Sequence, residues 1–174
     1  MPTTPPDMTA APPPPAPPWP EAAADGPAPL APAREAALRA LFERQIPLHA
    51  HLGLRCEQLA AGLARVRIPP RPELTGDPFR PAVHGGVLAT LADVAGGLAV
   101  FSQVAPEDRV STIDLRIDYL RPAVTGADLF GEARLLRAGG RVAMAEVTVH
   151  QGDPAQPCAR AAVVYAVHRG KGAP

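Results

Sequence analysis

The sequence predicts an α+β fold in which one antiparallel β-sheet wraps around a single long helix. Residues 85–104 carry apolar or very small side chains around most of a helical circumference, which is typical of a buried helix. Two strand-like segments precede this helix and four follow it, so a sheet is available to cover it. About 140 residues take part, which is enough for one hydrophobic core.

The N-terminal residues differ in composition from the rest of the chain. Thirteen of the 24 prolines lie in the first 32 residues. We therefore expect residues 1–33 to be a disordered Pro/Ala-rich tail, residues 34–170 to form the folded domain, and residues 171–174 to be a short C-terminal tail. The first basic residue is Arg34, and no unbroken apolar run precedes it, which argues against a secretory or mitochondrial address. The expected location is the cytoplasm.

The folded domain begins with a short amphipathic helix. Four apolar side chains recur at helical spacing over residues 34–45, and Pro47 marks the end of this helix. Residues 52–59 and 64–68 are then predicted as two strands joined by a turn. A proline-rich loop over residues 69–83 leads into the long helix.

Within the long helix, small and polar residues fall on one narrow stripe of about 60°. The stripe contains Gly86, Thr90, Asp93 and Gly97. A carboxylate at the centre of the segment argues against a membrane span. The paired glycines at 96 and 97 cost about 1 kcal/mol each in a helix interior, which indicates that another element packs closely against them.

Four strands are predicted after the helix. They cover residues 111–120, 128–137, 141–150 and 158–168. The first alternates apolar residues with Asp114, Arg116 and Asp118, which is typical of a half-buried strand, and Pro122 ends it. Its charged residues either pair with those of a symmetry-related copy or form a solvated face that stays unpaired. A Gly-Gly pair predicts a hairpin between the second and third strands.

Composition argues against several classes of function. The net charge is zero and no basic cluster is present, so nucleic-acid binding is not expected. Almost all the positive charge is arginine, with Lys171 the sole lysine; this suits phosphate recognition, as in coenzyme A, but follows equally from a GC-rich coding sequence. Cys56 and Cys158 lie in strand-like segments and are expected to be reduced core residues. His49 and His51 have no ligand cluster nearby, so no metal site is expected.

The most informative motif is His84-Gly85-Gly86 followed by Asp93. If the helix begins near Gly85, its first N–H groups have no intrahelical partner and can receive a developing oxyanion. The two glycines let a ligand approach that backbone closely. The spacing alone is equally compatible with a solvated Asp93 and with His84 as an ordinary helix-entry residue.

This motif, followed by the segment TIDLRIDYLRP at residues 112–122, resembles the PaaI-like branch of the hotdog-fold acyl-CoA thioesterases. The resemblance spans residues 46–168, and the two motifs occur in the family's order. It implies a hotdog fold and hydrolysis of acyl-CoA thioesters to a free acid and CoA, with no metal or redox cofactor. It also implies a homodimer or a dimer of dimers, with the active sites between subunits.

The resemblance further implies roles for individual residues. The backbone N–H of Gly85 would bind the thioester carbonyl oxygen, Gly86 would help by lacking a side chain, and His84 would shape the turn. Asp93 would be either a general base that activates water or a nucleophile that forms a mixed anhydride. Thr112, contributed by the partner subunit, would orient the water or the carboxylate.

Three residues are assigned to substrate binding. They are Gly86, Thr90 and Asp77. The family usually has an asparagine six or seven residues before the histidine, whereas this chain has Asp77-Pro78 there. An ionised carboxylate cannot donate a hydrogen bond, so Asp77 either accepts one, caps the loop or marks a weaker enzyme.

Three functions follow as hypotheses. The first is acyl-CoA hydrolysis that depends on Asp93. The second is a non-catalytic hotdog module that binds acyl-CoA or acyl carrier protein and does not depend on this carboxylate. A hydratase or dehydratase is the third, although such relatives place their catalytic residues differently.

Overall fold

The computed structural model describes residues 27–77 and 79–170. Most of the predicted N-terminal tail, Pro78 and residues 171–174 lie outside this part. As the sequence predicts, an antiparallel sheet packs around one long helix. The helices are α1 (Pro32–Ala40), α2 (Pro47–Leu52) and α3 (Gly85–Phe101). The strands are β1 (Arg55–Ala60), β2 (Leu63–Ile68), β3 (Thr75–Asp77), β4 (Ala82–Val83), β5 (Arg109–Tyr119), β6 (Leu129–Ala138), β7 (Val142–His150) and β8 (Ala159–His168).

Six of the strands form the main sheet in the order β1-β2-β6-β7-β8-β5. All neighbours in this sheet are antiparallel. Strand β5 follows α3 directly in sequence, yet it pairs with β8 at one end of the sheet. The four strands predicted after the helix are therefore present, and the first of them is an edge strand.

The N-terminal segment is more helical than the sequence predicts. Helix α1 begins at Pro32, two residues before the predicted start, and continues through a π-helical turn, Leu41–Gln45. Pro47 does not simply end a helix but also occupies the first turn of α2, a position where proline's fixed φ and missing N–H are tolerated. Gly53, with φ 68°, ends α2, so the strand predicted from residue 52 starts at Arg55.

The loop before α3 also contains structure that the sequence did not predict. Residues Pro72–Leu74 form a 3-10 turn, and β3 and β4 pair as a short ribbon beside the start of α3. Helix α3 itself ends at Phe101, three residues before the predicted end at residue 104. At that end the Ser102 hydroxyl accepts the N–H of Gly62 from the β1–β2 turn, at 2.7 Å.

Helix α3 forms the centre of the hydrophobic core, as its composition predicts. Ten of its residues are buried, and they pack against side chains from β2, β6, β7 and β8. The helix and the sheet can pack this closely only because glycine occupies two positions. A Cβ on Gly131 of β6 would lie 3.0 Å from the side chain of Leu91, and one on Gly96 would lie 2.4 Å from the Tyr165 hydroxyl oxygen. Tyr165 of β8 is therefore the residue that packs against the paired glycines of the helix.

Strand β5 carries a β-bulge that interrupts the predicted alternation. Thr112 pairs with Tyr165 and Asp114 pairs with the next residue of β8, Val164, so Ile113 is an extra residue. Thr112 therefore faces the helix, as Tyr165 does, while Asp114 faces the other side of the sheet. Ile113 is 59% exposed rather than part of the buried face that the sequence predicts.

Two further expectations can be compared with the described residues. Cys56 and Cys158 are both free and buried, as expected for core residues. Within the part of the chain that the structure describes, none of the helices is both long and apolar enough to cross a membrane.

Candidate active site

The start of α3 is organised by His84. Its side chain caps the helix, because Nδ1 accepts the N–H of Gly86 at 2.9 Å. Its own N–H donates to the carbonyl of Leu74 at 2.8 Å, which ties the turn to the preceding 3-10 segment. Among the described residues the N–H of Gly85 has no hydrogen-bond acceptor. The helix therefore presents one unused donor at its positive end, beside a residue without a side chain.

A second glycine makes this turn possible. A Cβ on Gly76 of β3 would lie 2.4 Å from the Cα of His84, closer than any real contact allows. Gly76 is thus required for the β3–β4 ribbon to pack on the helix entrance. The sequence carries no signal for this role of Gly76, because only the folded loop brings residues 76 and 84 together.

Asp93 lies in the middle of α3, where it is half-buried. The hydroxyl of Thr112 donates a 2.7 Å hydrogen bond to its Oδ1. This Thr112 belongs to the same chain, whereas the resemblance implied the Thr112 of a partner subunit. The contact joins the bulge of β5 to the centre of the helix and leaves Oδ2 available to another partner.

The backbone of Asp93 is held as well. The hydroxyl of Tyr165 donates to the carbonyl oxygen of Asp93 at 2.7 Å, and the tyrosine is only 2% exposed. Burial and the charge of Asp93 raise the pKa of Tyr165, so the phenol remains a donor throughout the physiological range. In the sequence Tyr165 lies in an apolar strand-like segment, and nothing in that segment indicates this role.

The other two predicted site residues have local partners. Thr90 donates to the carbonyl of Gly86 at 2.9 Å, one helical turn back, on the predicted polar stripe. Asp77 Oδ1 accepts the N–H of Phe79 at 2.8 Å, and its Oδ2 lies 4.0 Å from Nε of Arg80. Of the three roles considered for Asp77, these contacts correspond to the loop cap.

A cleft of about 330 Å³ opens beside Gly85. Tyr119 forms one wall, with its hydroxyl donating to the carbonyl of Gly85 at 3.1 Å. A Cβ on Gly85 would lie 3.3 Å from the Tyr119 ring, so glycine leaves the helix start accessible. The lining residues are Val83, Gly85, Leu88, Tyr119, Leu120, Arg121, Pro122 and Ala123. The lining is therefore mainly apolar, with one arginine.

The N–H of Gly85 and the carboxylate of Asp93 do not lie next to each other within one chain. Gly85 and Asp93 are eight residues apart on a continuous α-helix, which separates their backbones by about 12 Å along the axis. A single thioester carbonyl bound to the N–H of Gly85 is therefore out of reach of the Asp93 carboxylate of the same chain. Thr112 contacts the carboxylate at the middle of the helix, and Tyr119 contacts Gly85 at its start.

The histidines near the N-terminus form no metal site among the described residues, which contain no group of three or more potential ligands. His49 is buried in α2, where Nδ1 lies 2.9 Å from the carbonyl oxygen of Phe42 and is assigned as the donor. Burial lowers the pKa of His49, against the raising effects of this hydrogen bond and of Asp93. His49 is best explained as a neutral residue that joins α2 to the core.

Comparison with known sequences identifies the family. The sequence profile of the thioesterase superfamily matches residues 81–158, which contain the helix entrance, Asp93 and Thr112. The medium/long-chain acyl-CoA thioesterase YigI of Salmonella typhimurium is 35% identical over 126 residues, covering 65% of this chain and 81% of that protein. A Halobacterium salinarum protein, whose name assigns it provisionally as an esterase, is 45% identical over 101 residues. That match covers 56% of this chain and 66% of the relative.

Solved structures agree with the sequence matches. A thioesterase family protein from Silicibacter pomeroyi superposes with a TM-score of 0.70 at 25% identity, covering 79% of this chain and 99% of that one. A variant of the phenylacetic acid degradation protein PaaI from Thermus thermophilus gives a TM-score of 0.61 at 29% identity, covering 69% and 97%. The chain therefore belongs to the thioesterase superfamily, in its PaaI-like hotdog branch.

Proposed function

We propose that this protein hydrolyses acyl-CoA thioesters to a free acid and CoA, with Asp93 and the N–H of Gly85 as the reacting groups. The observation that carries the proposal is the pairing of two unusual features on one helix. The Gly85 N–H has no acceptor among the described residues, and the Asp93 carboxylate is half-buried and held by Thr112. Membership of the thioesterase superfamily supports the same chemistry.

In the proposed reaction the Gly85 N–H donates to the thioester carbonyl oxygen. As the carbonyl carbon becomes tetrahedral, negative charge develops on that oxygen, and a donor at the positive end of a helix stabilises it. Asp93 then acts in one of two ways. As a general base it takes a proton from water, whose oxygen attacks the carbonyl carbon; as a nucleophile it attacks directly and forms a mixed anhydride that water then cleaves. In the general-base route the C–S bond breaks and the CoA thiolate receives the proton that Asp93 took from water. In the nucleophile route the C–S bond breaks as the anhydride forms, and the CoA thiolate receives its proton from solvent.

Thr112 has a defined part in this scheme. Its hydroxyl occupies Oδ1 of Asp93, so Oδ2 is the oxygen directed at water or at the carbonyl carbon. Tyr165 holds the carbonyl of the same residue and restricts the backbone from which the carboxylate projects. Both are positioning residues in this proposal, and Asp93 is the catalytic residue.

The site requires two copies of the chain. Because about 12 Å of helix separates Gly85 from Asp93, the carboxylate that serves one thioester comes from a second subunit. We therefore propose a homodimer, alone or within a dimer of dimers, in which each active site combines Gly85 of one subunit with Asp93 of the other. The Thr112 that orients each carboxylate belongs to the subunit that supplies it, so relative to Gly85 it does come from the partner.

The acyl group is assigned to the cleft beside Gly85. Its walls are formed mainly by apolar side chains from α3 and from the segment after β5, which suits an acyl chain or an aromatic ring. The YigI relatives are named for medium and long acyl chains, and we propose that class as the first to test here. Arg121, also on the lining, would lie near the polar end of the substrate and suits a phosphate.

The test is release of free thiol from a panel of straight-chain and aromatic acyl-CoA thioesters. The purified protein is compared with Asp93→Asn and with the control Glu57→Gln, whose side chain accepts from Arg67 at the edge of the sheet opposite β5. We expect Asp93→Asn to lower turnover by at least about a hundredfold and the control to leave it unchanged.

Turnover that survives Asp93→Asn would refute the mechanism. Tight acyl-CoA binding without thiol release in either protein would instead favour the non-catalytic binding module. The two native cysteines do not disturb the assay, because both thiols are buried and burial raises the pKa of each, that of Cys56 to about 11.

A further inference from the structure

Part of the wall of the cleft at the start of α3 is formed by a segment outside the regular strands. This wall segment, residues 120–125, follows β5, and its first four residues line the cleft. On the side of the helix entrance it is bound by β4 and the residue before it. The N–H of Val83 donates to the carbonyl of Ala123 at 2.8 Å. The N–H of Thr125 donates to the carbonyl of Pro81, also at 2.8 Å.

Gln151 binds the opposite side of the wall segment. Its Oε1 accepts the N–H of Val124 and its Nε2 donates to the carbonyl of Val124, both at 2.8 Å. One side-chain amide thus satisfies both backbone groups of a residue, as a neighbouring strand would do. Because Ala82 forms a β-bridge with Val124 from the other side, the wall segment lies between β4 and this glutamine.

We propose that Gln151 is a positioning residue that holds the wall segment against β4 and thereby keeps the cleft in the shape that binds the acyl chain. This inference rests on the proposed function, which assigns the acyl chain to this cleft. Both bonds of the Gln151 amide go to the backbone of Val124. Gln151 therefore acts through the wall segment and not on the thioester.

The backbone from which Gln151 projects is itself held in place. The preceding residue, His150, is completely buried, and its ring stacks on that of Phe130 with the centroids 5.5 Å apart. The Nδ1 of His150 accepts the N–H of Gly152 at 3.1 Å. Gly152 has a φ of 105°, which side chains other than glycine's rarely allow. Gln151 thus lies between two fixed residues, as a positioning contact requires.

The other end of the wall segment has separate contacts with the same turn between β7 and β8. The carbonyl of Cys158 accepts the N–H of Leu120 at 2.8 Å and that of Arg121 at 3.2 Å. The side-chain oxygen of Gln156 accepts from the guanidinium of Arg121. These contacts do not involve Gln151. Its removal should therefore loosen only the end of the segment that pairs with β4, and the protein should still fold.

Losing the Gln151 contact should weaken binding and leave the chemical step intact. If the wall segment occupies its binding position for only part of the time, the apparent affinity falls by that fraction. Two hydrogen bonds shift such an equilibrium by about tenfold. A long acyl chain contacts more of this wall than a short one. The loss of affinity should therefore grow with the length of the acyl chain.

The test compares the full-length protein with Gln151→Ala. Gln58→Ala is the matched control, because Gln58 is an exposed residue of β1 whose side chain forms no hydrogen bond among the described residues. Calorimetry measures the Kd of two non-hydrolysable thioethers, decyl-CoA and ethyl-CoA. For Gln151→Ala we expect the Kd of decyl-CoA to rise about tenfold and that of ethyl-CoA by less than about threefold.

The kcat for decanoyl-CoA should stay within about twofold of wild type, because the reacting groups are unchanged. The control should match wild type in both measurements. A change in affinity that does not grow with chain length would overturn the proposal. A chain-length-dependent loss of binding in a protein that hydrolyses no acyl-CoA would keep this proposal and refute the proposed function.

A second variant and a second measurement cover the case in which alanine disturbs the turn. Gln151→Glu keeps the shape but lacks the donor, so wild-type affinity for decyl-CoA in this variant would overturn the two-point contact. Hydrogen exchange is followed in the ligand-free protein. Peptides covering the wall segment should exchange faster in Gln151→Ala than in wild type, with α3 unchanged. Unchanged exchange in the wall segment, or faster exchange that extends over α3, would overturn the proposal.

Discussion

Thr112 Oγ1 donates to Asp93 Oδ1 at 2.7 Å, and this contact exists because β5 bulges at that point. In a regular strand, residues 112 and 114 would face the same side of the sheet, so Thr112 would point away from the helix together with Asp114. The bulge turns the hydroxyl toward α3 while leaving Asp114 on the outer face. Bulges are found next to active sites for this reason, since they redirect one side chain without breaking the sheet.

The Thr112–Asp93 contact predicts a specific loss on removing the hydroxyl. In Thr112→Val the side chain keeps its shape but cannot donate, so the carboxylate loses its orientation. We expect kcat to fall about tenfold with KM little changed, the effect of one hydrogen bond to a charged group. Thr112→Ser, which keeps the donor, is the matched control and should retain most of the activity. Full activity in Thr112→Val would contradict a role for the hydrogen bond, and a loss confined to Thr112→Ser would assign the effect to the methyl group instead.

Much of the fold could be predicted because its signals are local. The apolar circumference of α3, the Gly-Gly turn between β6 and β7, and the start of α3 at Gly85 all follow from residues near one another in sequence. Helix α2 escaped prediction because six residues are too few for a periodicity, and Pro47 is compatible with both a helix end and a helix start.

The missed parts of the site depend on distant residues. The β5 bulge is hidden in a segment whose apolar residues alternate regularly, and only the pairing with β8 reveals it. Tyr165 looks like one more core residue of a strand, yet it bonds to Asp93, 72 positions earlier. The paired glycines of α3 indicated close packing, but not that the neighbour would be a tyrosine hydroxyl.

The packing of Tyr165 on α3 predicts opposite effects on stability for alanine substitutions at two adjacent glycines. A Cβ at Gly96 would lie 2.4 Å from the tyrosine hydroxyl oxygen, so Gly96→Ala should destabilise the protein by about 1–3 kcal/mol. At Gly97 the nearest atom is 3.6 Å away, so Gly97→Ala should be neutral or stabilising by up to about 1 kcal/mol. Urea unfolding measures both free energies.

A double-mutant cycle identifies the hydroxyl as the cause. In a Tyr165→Phe background the atom nearest to the new methyl group is removed, and the next contacts are at 3.4 Å. The loss of unfolding free energy caused by Gly96→Ala should therefore be clearly smaller in that background. An unchanged cost would show that the methyl group clashes elsewhere.

The lowered pKa of His49 predicts that the folded protein loses stability as the pH falls. Burial lowers its pKa in the folded protein, while the unfolded chain has the ordinary value of about 6.5. The unfolded state therefore binds the proton more readily, so this contribution to stability is complete above about pH 6.5 and is lost as the pH falls through the lower, folded pKa. His49→Asn keeps a donor near the Phe42 carbonyl but does not titrate.

The readout is the difference in pH dependence and not the absolute stability, because the variant also loses ring contacts with Phe42. Urea midpoints between pH 7.5 and about pH 5 should fall more steeply for the wild type than for His49→Asn. Parallel curves would mean that His49 does not titrate differently in the two states.

The proposed role of the Gly85 N–H as an oxyanion donor can be tested by a substitution that removes this N–H. Proline lacks the N–H and is well tolerated in the first turn of a helix, and His84 before it already has the extended backbone, with φ −61° and ψ 131°, that a following proline requires. Gly85→Pro should therefore keep α3 intact and remove only the proposed oxyanion donor. A side chain at this position also approaches the Tyr119 ring at 3.3 Å, so Gly85→Ala is the necessary control.

Alanine retains the N–H and adds the same Cβ. The ratio of the kcat values of the two variants therefore measures the loss of the donor separately from the effect of the added side chain. We expect kcat for Gly85→Pro to lie about 10²–10³-fold below that of Gly85→Ala, the loss typical of one oxyanion-hole donor. Circular dichroism and the melting temperature establish that both variants are folded. If the two variants lose activity equally while folded, the oxyanion is stabilised elsewhere and the role proposed for the helix N-terminus is wrong.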